Sequence, residues 1–204
     1  ETAIAVVKMK PDFVRIYPVL VIENTELVDQ YRAGEYEPLS TEQAITYCAF
    51  LKDWFERHNI EVIRTGLQST EELDSGNSLV AGPYEPAMGE LVVNEQYKQR
   101  IERCIDEHFS ESALGDQYTY NFSPLSNHYS HKVECRTHAN NTNKLVKHKI
   151  LISYPRNLTS KVRGLKNRNI LYFQETYPQF SIEWCEDSMR NTVRCCIDGL
   201  QYVL

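Results

Sequence analysis

No stretch of the 204 residues approaches the ~20 consecutive apolar residues that a membrane span requires. No basic-then-apolar leader opens the chain either, so neither a membrane partner nor export is expected. The six cysteines (Cys48, Cys104, Cys135, Cys185, Cys195 and Cys196) form no disulfide framework, which points to a reducing, cytoplasmic setting. An initiating methionine is missing as well. The chain opens at Glu1 inside what reads as the tail of a helix over 2–9, and this predicts a fragment of a longer protein. Positive charge is scarce in the first half, where residues 1–109 hold 10 Lys and Arg against 20 Asp and Glu. Residues 110–182 reverse the balance, with 10 against 4. An acidic part joined to a basic part predicts two domains, 1–109 and 110–204, and either an anionic partner for the second or merely a solvated basic face.

What is present begins with Phe13, Val14 and Ile16, a short apolar run that reads as a buried strand of a parallel sheet. Arg15 and Tyr17 sit at its C-terminal end, where open α/β sheets and barrels place their chemistry. Pro18 stops ladder pairing, and Glu23-Asn24-Thr25 opens a helix whose apolar positions are Leu27, Val28 and Tyr31 and which Gly34 ends. Ser40-Thr41-Glu42-Gln43 is a capping box. The helix it starts continues to His58, with Ala44, Ile45, Cys48, Leu51 and Phe55 on one face. A second short strand over 61–66 completes a βαβ unit. Residues 70–86 read as a long connection, and 95–109 as a helix. Arg15, Tyr17, Arg64 and Gln68 thus gather at the C-terminal ends of two strands. Guanidinium and amide groups there can grip a carboxylate, a ribose or a phosphate, or the arginines are ordinary strand-end charges.

Several spaced features coincide with one family. Arg15-x-Tyr17-Pro18, then Thr25-x-Leu27, then Tyr31-x-x-Gly34-x-Tyr36-x-Pro38, then Gly82-Pro83-Tyr84-x-Pro86-Ala87-x-x-Glu90-Leu91-Val92 together resemble the late part of the radical S-adenosylmethionine enzyme related to the catalytic subunit of Elongator, in its bacterial form. The resemblance implies a partial (βα) barrel whose rim, with Arg15, Tyr17, Arg64 and Gln68, faces the cofactor or an RNA base. It implies S-adenosylmethionine and a [4Fe–4S] cluster in the full-length protein, and RNA, tRNA in particular, as the partner. Such a cluster needs a C-x3-C-x2-C loop, and this sequence has none. The chain also lacks the acetyltransferase domain of the true Elongator subunit. Radical chemistry by this chain alone is therefore not expected. A barrel rim of two strands further predicts an unpaired edge or an apolar face beside Phe13–Ile16, open to oligomerisation.

The second half changes character. Residues 118–122 look extended, 149–154 and 180–184 read as strands, and 159–163 and 167–177 as helices. Asp198-Gly199 between 194–197 and 200–203 is a two-residue hairpin signal. The stretch from Val162 to Ile170 looks like the signature of a KH domain, in which a Gly-x-x-Gly loop between two helices clamps single-stranded nucleic acid. Lys161, Arg163, Gly164, Lys166 and Arg168 would make the RNA contacts. The second glycine is absent, and Asn167 stands in its place. Asn tolerates left-handed backbone better than other non-glycine residues, so the turn survives more readily than the contact. His128, His131, Cys135 and His138 place four nitrogen or sulfur donors within eleven residues, a weak zinc pattern against the alternative of a polar loop. The fold class is an α/β partial (βα) barrel fragment followed by an α+β domain with a KH-like core. The function that the resemblance implies is the C-terminal part of a radical S-adenosylmethionine enzyme acting on RNA, the alternative being a non-catalytic RNA-binding or interaction module.

Overall fold

The computed structural model describes residues 1–76, 78–111, 148–189 and 191–204. The chain runs through α1 (Thr2–Met9), β1 (Phe13–Ile16), β2 (Val21–Ile22), α2 (Glu26–Arg32), α3 (Thr41–Arg57), β3 (Glu61–Thr65), α4 (Glu71–Asp74), β4 (Leu79–Ala81) and α5 (Met88–Glu111). It resumes with β5 (Lys149–Tyr154), α6 (Thr159–Arg163), α7 (Arg168–Thr176), β6 (Ser181–Glu186), β7 (Arg194–Ile197) and β8 (Leu200–Val203).

In the first half β1 and β3 pair in parallel, with a register shift between Val14 and Arg15 that sets Arg15 opposite Arg64. The expectation of a strand buried on both faces needs correction. Alternation sends Val14 and Ile16 toward the helices, while Phe13 stays 55% exposed and Tyr17 44% exposed on the other side, next to Ile63 at 42%. The reason is that helices cover one face only. Ile16 joins Ile45, Cys48, Ala49 and Phe55 of α3 and Met88 and Val92 of α5 in one core, with Val6 and Val7 of α1 packed against it.

The capping box at the head of α3 is formed as the sequence reads. Ser40 Oγ accepts from the Gln43 amide at 3.2 Å, and Gln43 Oε1 accepts from the Ser40 amide at 2.9 Å. The long connection over 70–86 is more structured than its composition implies. It holds α4, and β4 pairs antiparallel with β2, which no local pattern announced. Gly66 closes β3 with φ +81, and a Cβ there would lie 2.6 Å from Met88 Cβ, so only glycine lets α5 start this close to the sheet. Accordingly α5 begins at Met88, seven residues before the start read from periodicity.

A four-stranded sheet ordered β6-β5-β7-β8 organises the second half. The central strand β5 runs parallel to β6 and antiparallel to β7, and β8 closes the hairpin with β7. Asp198 and Gly199 take φ +49 and +93 in the turn, the left-handed pair that matches strand twist. Ile150, Ile152 and Tyr154 of β5 alternate into a core with Val162 of α6, Phe173 of α7, and Cys195 and Ile197 of β7. Ile101, Cys104 and Ile105 complete that core from the second half of α5. One helix therefore serves both cores, Met88 and Val92 at one end and Ile101 to Ile105 further along.

Polar pairing fixes α5 on α3. Asp53, 4% exposed, accepts from Arg100 Nε at 2.6 Å and Arg103 Nη2 at 3.0 Å, and pairs with Arg57 at 3.0 Å. Glu56 takes Gln96 Nε2 at 2.6 Å, Arg100 Nη2 at 3.2 Å and the Lys52 ammonium. A buried carboxylate survives because three guanidiniums compensate its lost hydration.

Candidate functional site

Three regions carry exposed chemistry. The first is the uncovered face of the β1–β3 sheet. Arg15 and Arg64 are register partners and both exposed, flanked by Phe13, Tyr17 and Ile63. Two adjacent cations amid flat apolar groups suit an anionic ligand with an aromatic body. Gln68 lies just past β3 in an exposed loop. Beyond it the loop is pinned by side chains that the sequence reading passed over. Ser69 Oγ donates to Asp74 Oδ1 at 2.9 Å, Tyr84 OH donates to the same carboxylate oxygen, and Ser69 Oγ and Tyr84 OH are 3.2 Å apart. This cluster holds the 69–84 loop at the C-terminal end of the strands. Its only sequence signal was Tyr84 within the family-like Gly82-Pro83-Tyr84 run.

The second region is the basic turn between α6 and α7. Lys161, Lys166 and Arg168 are exposed, and Arg163 is half-buried. The backbone reverses sharply, with φ +75 at Gly164, +53 at Lys166 and +61 at Asn167. Asn167 thus takes the left-handed conformation anticipated for it. Gly164, at ψ 161, sits where essentially only glycine goes. It faces inward. A Cβ at this position would meet Asn169 Cγ and Oδ1 at 3.0 Å. The turn is held from below by Asn94 of α5, whose Oδ1 accepts from the Leu165 amide at 3.0 Å. Its Nδ2 donates to the carbonyls of Ser160 and Lys161, each at 3.3 Å.

The third region joins the halves. A cleft of about 280 Å³ opens between α3, α5 and the start of α7. Glu42 and Thr46 line it from α3, Glu95 and Lys98 from α5, and Arg168 and Tyr172 from α7. Lys98 is held by Glu95 at 2.8 Å and lies 4.5 Å over the Tyr172 ring. Tyr172 OH donates to Glu102 Oε1 at 2.5 Å. Burial pushes the Glu102 carboxyl up to about 7, against the opposing pull of Lys98 and of the Tyr172 hydrogen bond. Burial and the neighbouring Glu102 push the Tyr172 phenol well above its ordinary value, so it stays a proton donor.

An iron–sulfur cluster needs thiolates converging on one loop. The described cysteines are instead spread over α3, α5, β6 and β7, with Cys48, Cys104 and Cys195 buried. Burial pushes the Cys48 thiol up to about 11. A hydrogen bond with Cys104 and burial push Cys195 up further. Among the described residues no three His, Cys, Asp or Glu side chains are grouped to hold a metal ion, so this donor set does not fit a cluster. His128, His131, Cys135 and His138 lie outside the described residues, as does the extended stretch expected over 118–122. Among the described residues no helix is long and apolar enough to cross a membrane.

Comparison with known proteins bears on the first half. The family model described as Radical_SAM C-terminal domain matches residues 11–99. The tRNA uridine(34) acetyltransferase of Methanocaldococcus jannaschii is 35% identical over 97 residues, covering 47% of this chain and 17% of that protein. The enzyme of the same name from Methanocaldococcus infernus is 33% identical over 96 residues, with the same coverage of each chain. The chain therefore spans under a fifth of the length of the curated relatives it matches. No solved structure matches it. The matched stretch contains β1, β3, the capping box of α3 and the Ser69–Asp74–Tyr84 cluster. Over residues 11–99 the chain is thus similar to the radical SAM C-terminal domain and to part of these tRNA uridine(34) acetyltransferases, which supports a C-terminal radical SAM fragment.

Proposed function

We propose that the chain is the C-terminal part of a radical SAM iron–sulfur enzyme acting on tRNA. The observation that carries this reading is the match of residues 11–99, which includes the open β1–β3 face, to relatives named for a tRNA uridine. In the full-length protein, S-adenosylmethionine and a [4Fe–4S] cluster would supply one-electron chemistry. This chain's part is to bind and orient. On the open face Arg15 and Arg64 would hold a phosphate or a carboxylate, and Phe13 and Tyr17 would offer flat surface to a base or to the adenosyl group. Gln68 would contribute an amide at the rim.

The second half would add affinity for the tRNA backbone. The order strand, helix, turn, helix, strand over β5, α6, α7 and β6, with Gly164 in the turn, supports a KH-like core. Because Gly164 is buried against Asn169, the RNA contacts would come from Lys161, Arg163, Lys166 and Arg168 side chains rather than from the glycine backbone. The partial barrel, the tRNA partner, the cytoplasmic setting and oligomerisation through the open face all belong to this proposal.

The test is filter binding of the 204-residue chain to tRNA and to duplex DNA across a salt series. Preferential tRNA binding that weakens steeply with salt is expected, together with a marked loss in the Arg15→Glu, Arg64→Glu double variant. Equal affinity for both nucleic acids would leave only non-specific charge, and no binding at low salt would end the tRNA reading.

A further inference from the structure

The cleft between α3, α5 and α7 carries opposite charges on different walls. Glu42 stands in the first turn of α3, and Arg168 is the first residue of α7. Among the described residues neither has an ion-pair partner, whereas Lys98 is committed to Glu95 and to the Tyr172 ring. The apolar side chains of Ile45, Leu91 and Leu165 line the same cleft, the last 50% exposed. At about 280 Å³ the space falls just below the usual range of small-ligand sites, roughly 300–1,000 Å³, and is too small for a peptide helix. At its Arg168 end the exposed guanidinium favours a phosphate, and Asn167 supplies no side-chain cap to the first turn of α7. At the other end a carboxylate repels phosphate and calls for N–H donors.

A ligand that matches all three features is anionic at one end, flat and apolar in the middle, and rich in N–H groups at the other. We propose that this cleft binds one nucleotide presented by single-stranded RNA, its phosphate at Arg168, its base on the Ile45–Leu91–Leu165 floor and its base-edge N–H groups on Glu42. The assignment rests on the tRNA-directed reading and adds a site remote from the open face. Guanine is favoured over uracil, because a carboxylate can accept from its N1–H and N2–H together while uracil offers one N–H.

The full chain should be titrated with GMP, UMP, guanosine and inorganic phosphate, following backbone amide shifts of Leu165 and Arg168 by NMR. GMP is expected to shift these amides saturably, at least tenfold more tightly than guanosine or phosphate. Arg168→Glu should weaken GMP at least tenfold, and Glu42→Gln should erase the preference over UMP. Thr46→Trp fills the cleft without altering either charge and should block GMP, with the fold checked by circular dichroism. Phosphate binding as tightly as GMP, or unaltered GMP binding by both Arg168→Glu and Thr46→Trp, overturns the assignment. Parallel tRNA titrations separate the two readings. Loss of tRNA binding with GMP binding intact sinks only the tRNA reading. tRNA bound equally by parent and Thr46→Trp, without a GMP response, sinks only the cleft.

Discussion

The carboxamide of Asn169 on α7 donates to the backbone carbonyl of Asn94 on α5 at 2.9 Å, and both side chains are buried. The same Nδ2 reaches the Val162 carbonyl at 3.0 Å, while the Asn94 side chain returns bonds to Ser160, Lys161 and Leu165. The two asparagines lock the α6–α7 turn onto the helix that also packs on the β1–β3 sheet. Asn169→Ala removes one donor from each of two carbonyls, of which that of Asn94 keeps its helical bond within α5. It should cost about 1–2 kcal/mol in urea unfolding, since each hydrogen bond contributes ~0.5–1.5 kcal/mol net. A loss under 0.5 kcal/mol would mean that water replaces the amide.

Asp53→Ala should be the most damaging polar substitution in the first half. It removes the shared buried partner of Arg57, Arg100 and Arg103, of which Arg100 keeps Glu56 and Arg57 is largely solvated. Breaking a buried ion pair from one side costs about 3–5 kcal/mol, so a fall in Tm of roughly 10 °C is expected by calorimetry.

Glu102 gives stability a pH dependence of unusual sign. Its folded-state pKa of about 7 lies above the ordinary carboxylate value of 4.5. The folded chain therefore binds more protons than the unfolded one between these values, and stability falls as pH rises through that window. The penalty is fully developed above pH 7. Glu102→Gln keeps an acceptor for Tyr172 and removes the titration. It should be more stable than the parent by about 3 kcal/mol at pH 8 and close to it at pH 5. Parallel pH–stability curves for the two proteins would refute this.

Gly164 and Lys166 separate a structural turn from a nucleic-acid contact. Gly164→Ala places a side chain at φ +75 and 3.0 Å from Asn169, and should destabilise the fold by about 1–3 kcal/mol. Lys166→Glu changes an exposed side chain and should leave the melting curve in place. It should weaken tRNA across all sequences and shrink the salt slope by about one. Unaltered RNA binding in Lys166→Glu would confine the turn to a structural role.

The open sheet face should make the chain self-associate. Phe13→Ser with Ile63→Ser removes two exposed apolar groups and should change stability by no more than ~0.5 kcal/mol. Sedimentation velocity at high concentration should show the parent forming dimers and the double variant remaining monomeric. Identical profiles would remove the face as a contact surface.

Local features could be read from the sequence because each is encoded within a few residues. The capping box at Ser40 and Gln43, the Asp198-Gly199 hairpin and the strands at 13–16, 61–65 and 149–154 all follow from short-range pattern. The spaced residues from Arg15 to Pro38 and from Gly82 to Val92 carried a resemblance that the match over residues 11–99 supports. Among the candidate site residues, that Arg15 and Arg64 lie together could be anticipated from the βαβ order. Their position directly opposite each other depends on the bulge at Val14. What only the tertiary structure decided is which faces are covered. Phe13 reads as core by composition, but it is exposed because helices pack on the Ile16 side alone. Asp53 reads as a surface charge on α3, but it is buried because Arg100 and Arg103 arrive from α5. Pairing of β2 with β4, the Asn94–Asn169 lock and the Glu42–Arg168 cleft likewise join segments tens of residues apart. Periodicity within one segment determines which residues share a face, whereas long-range packing decides what that face meets and how much water remains there.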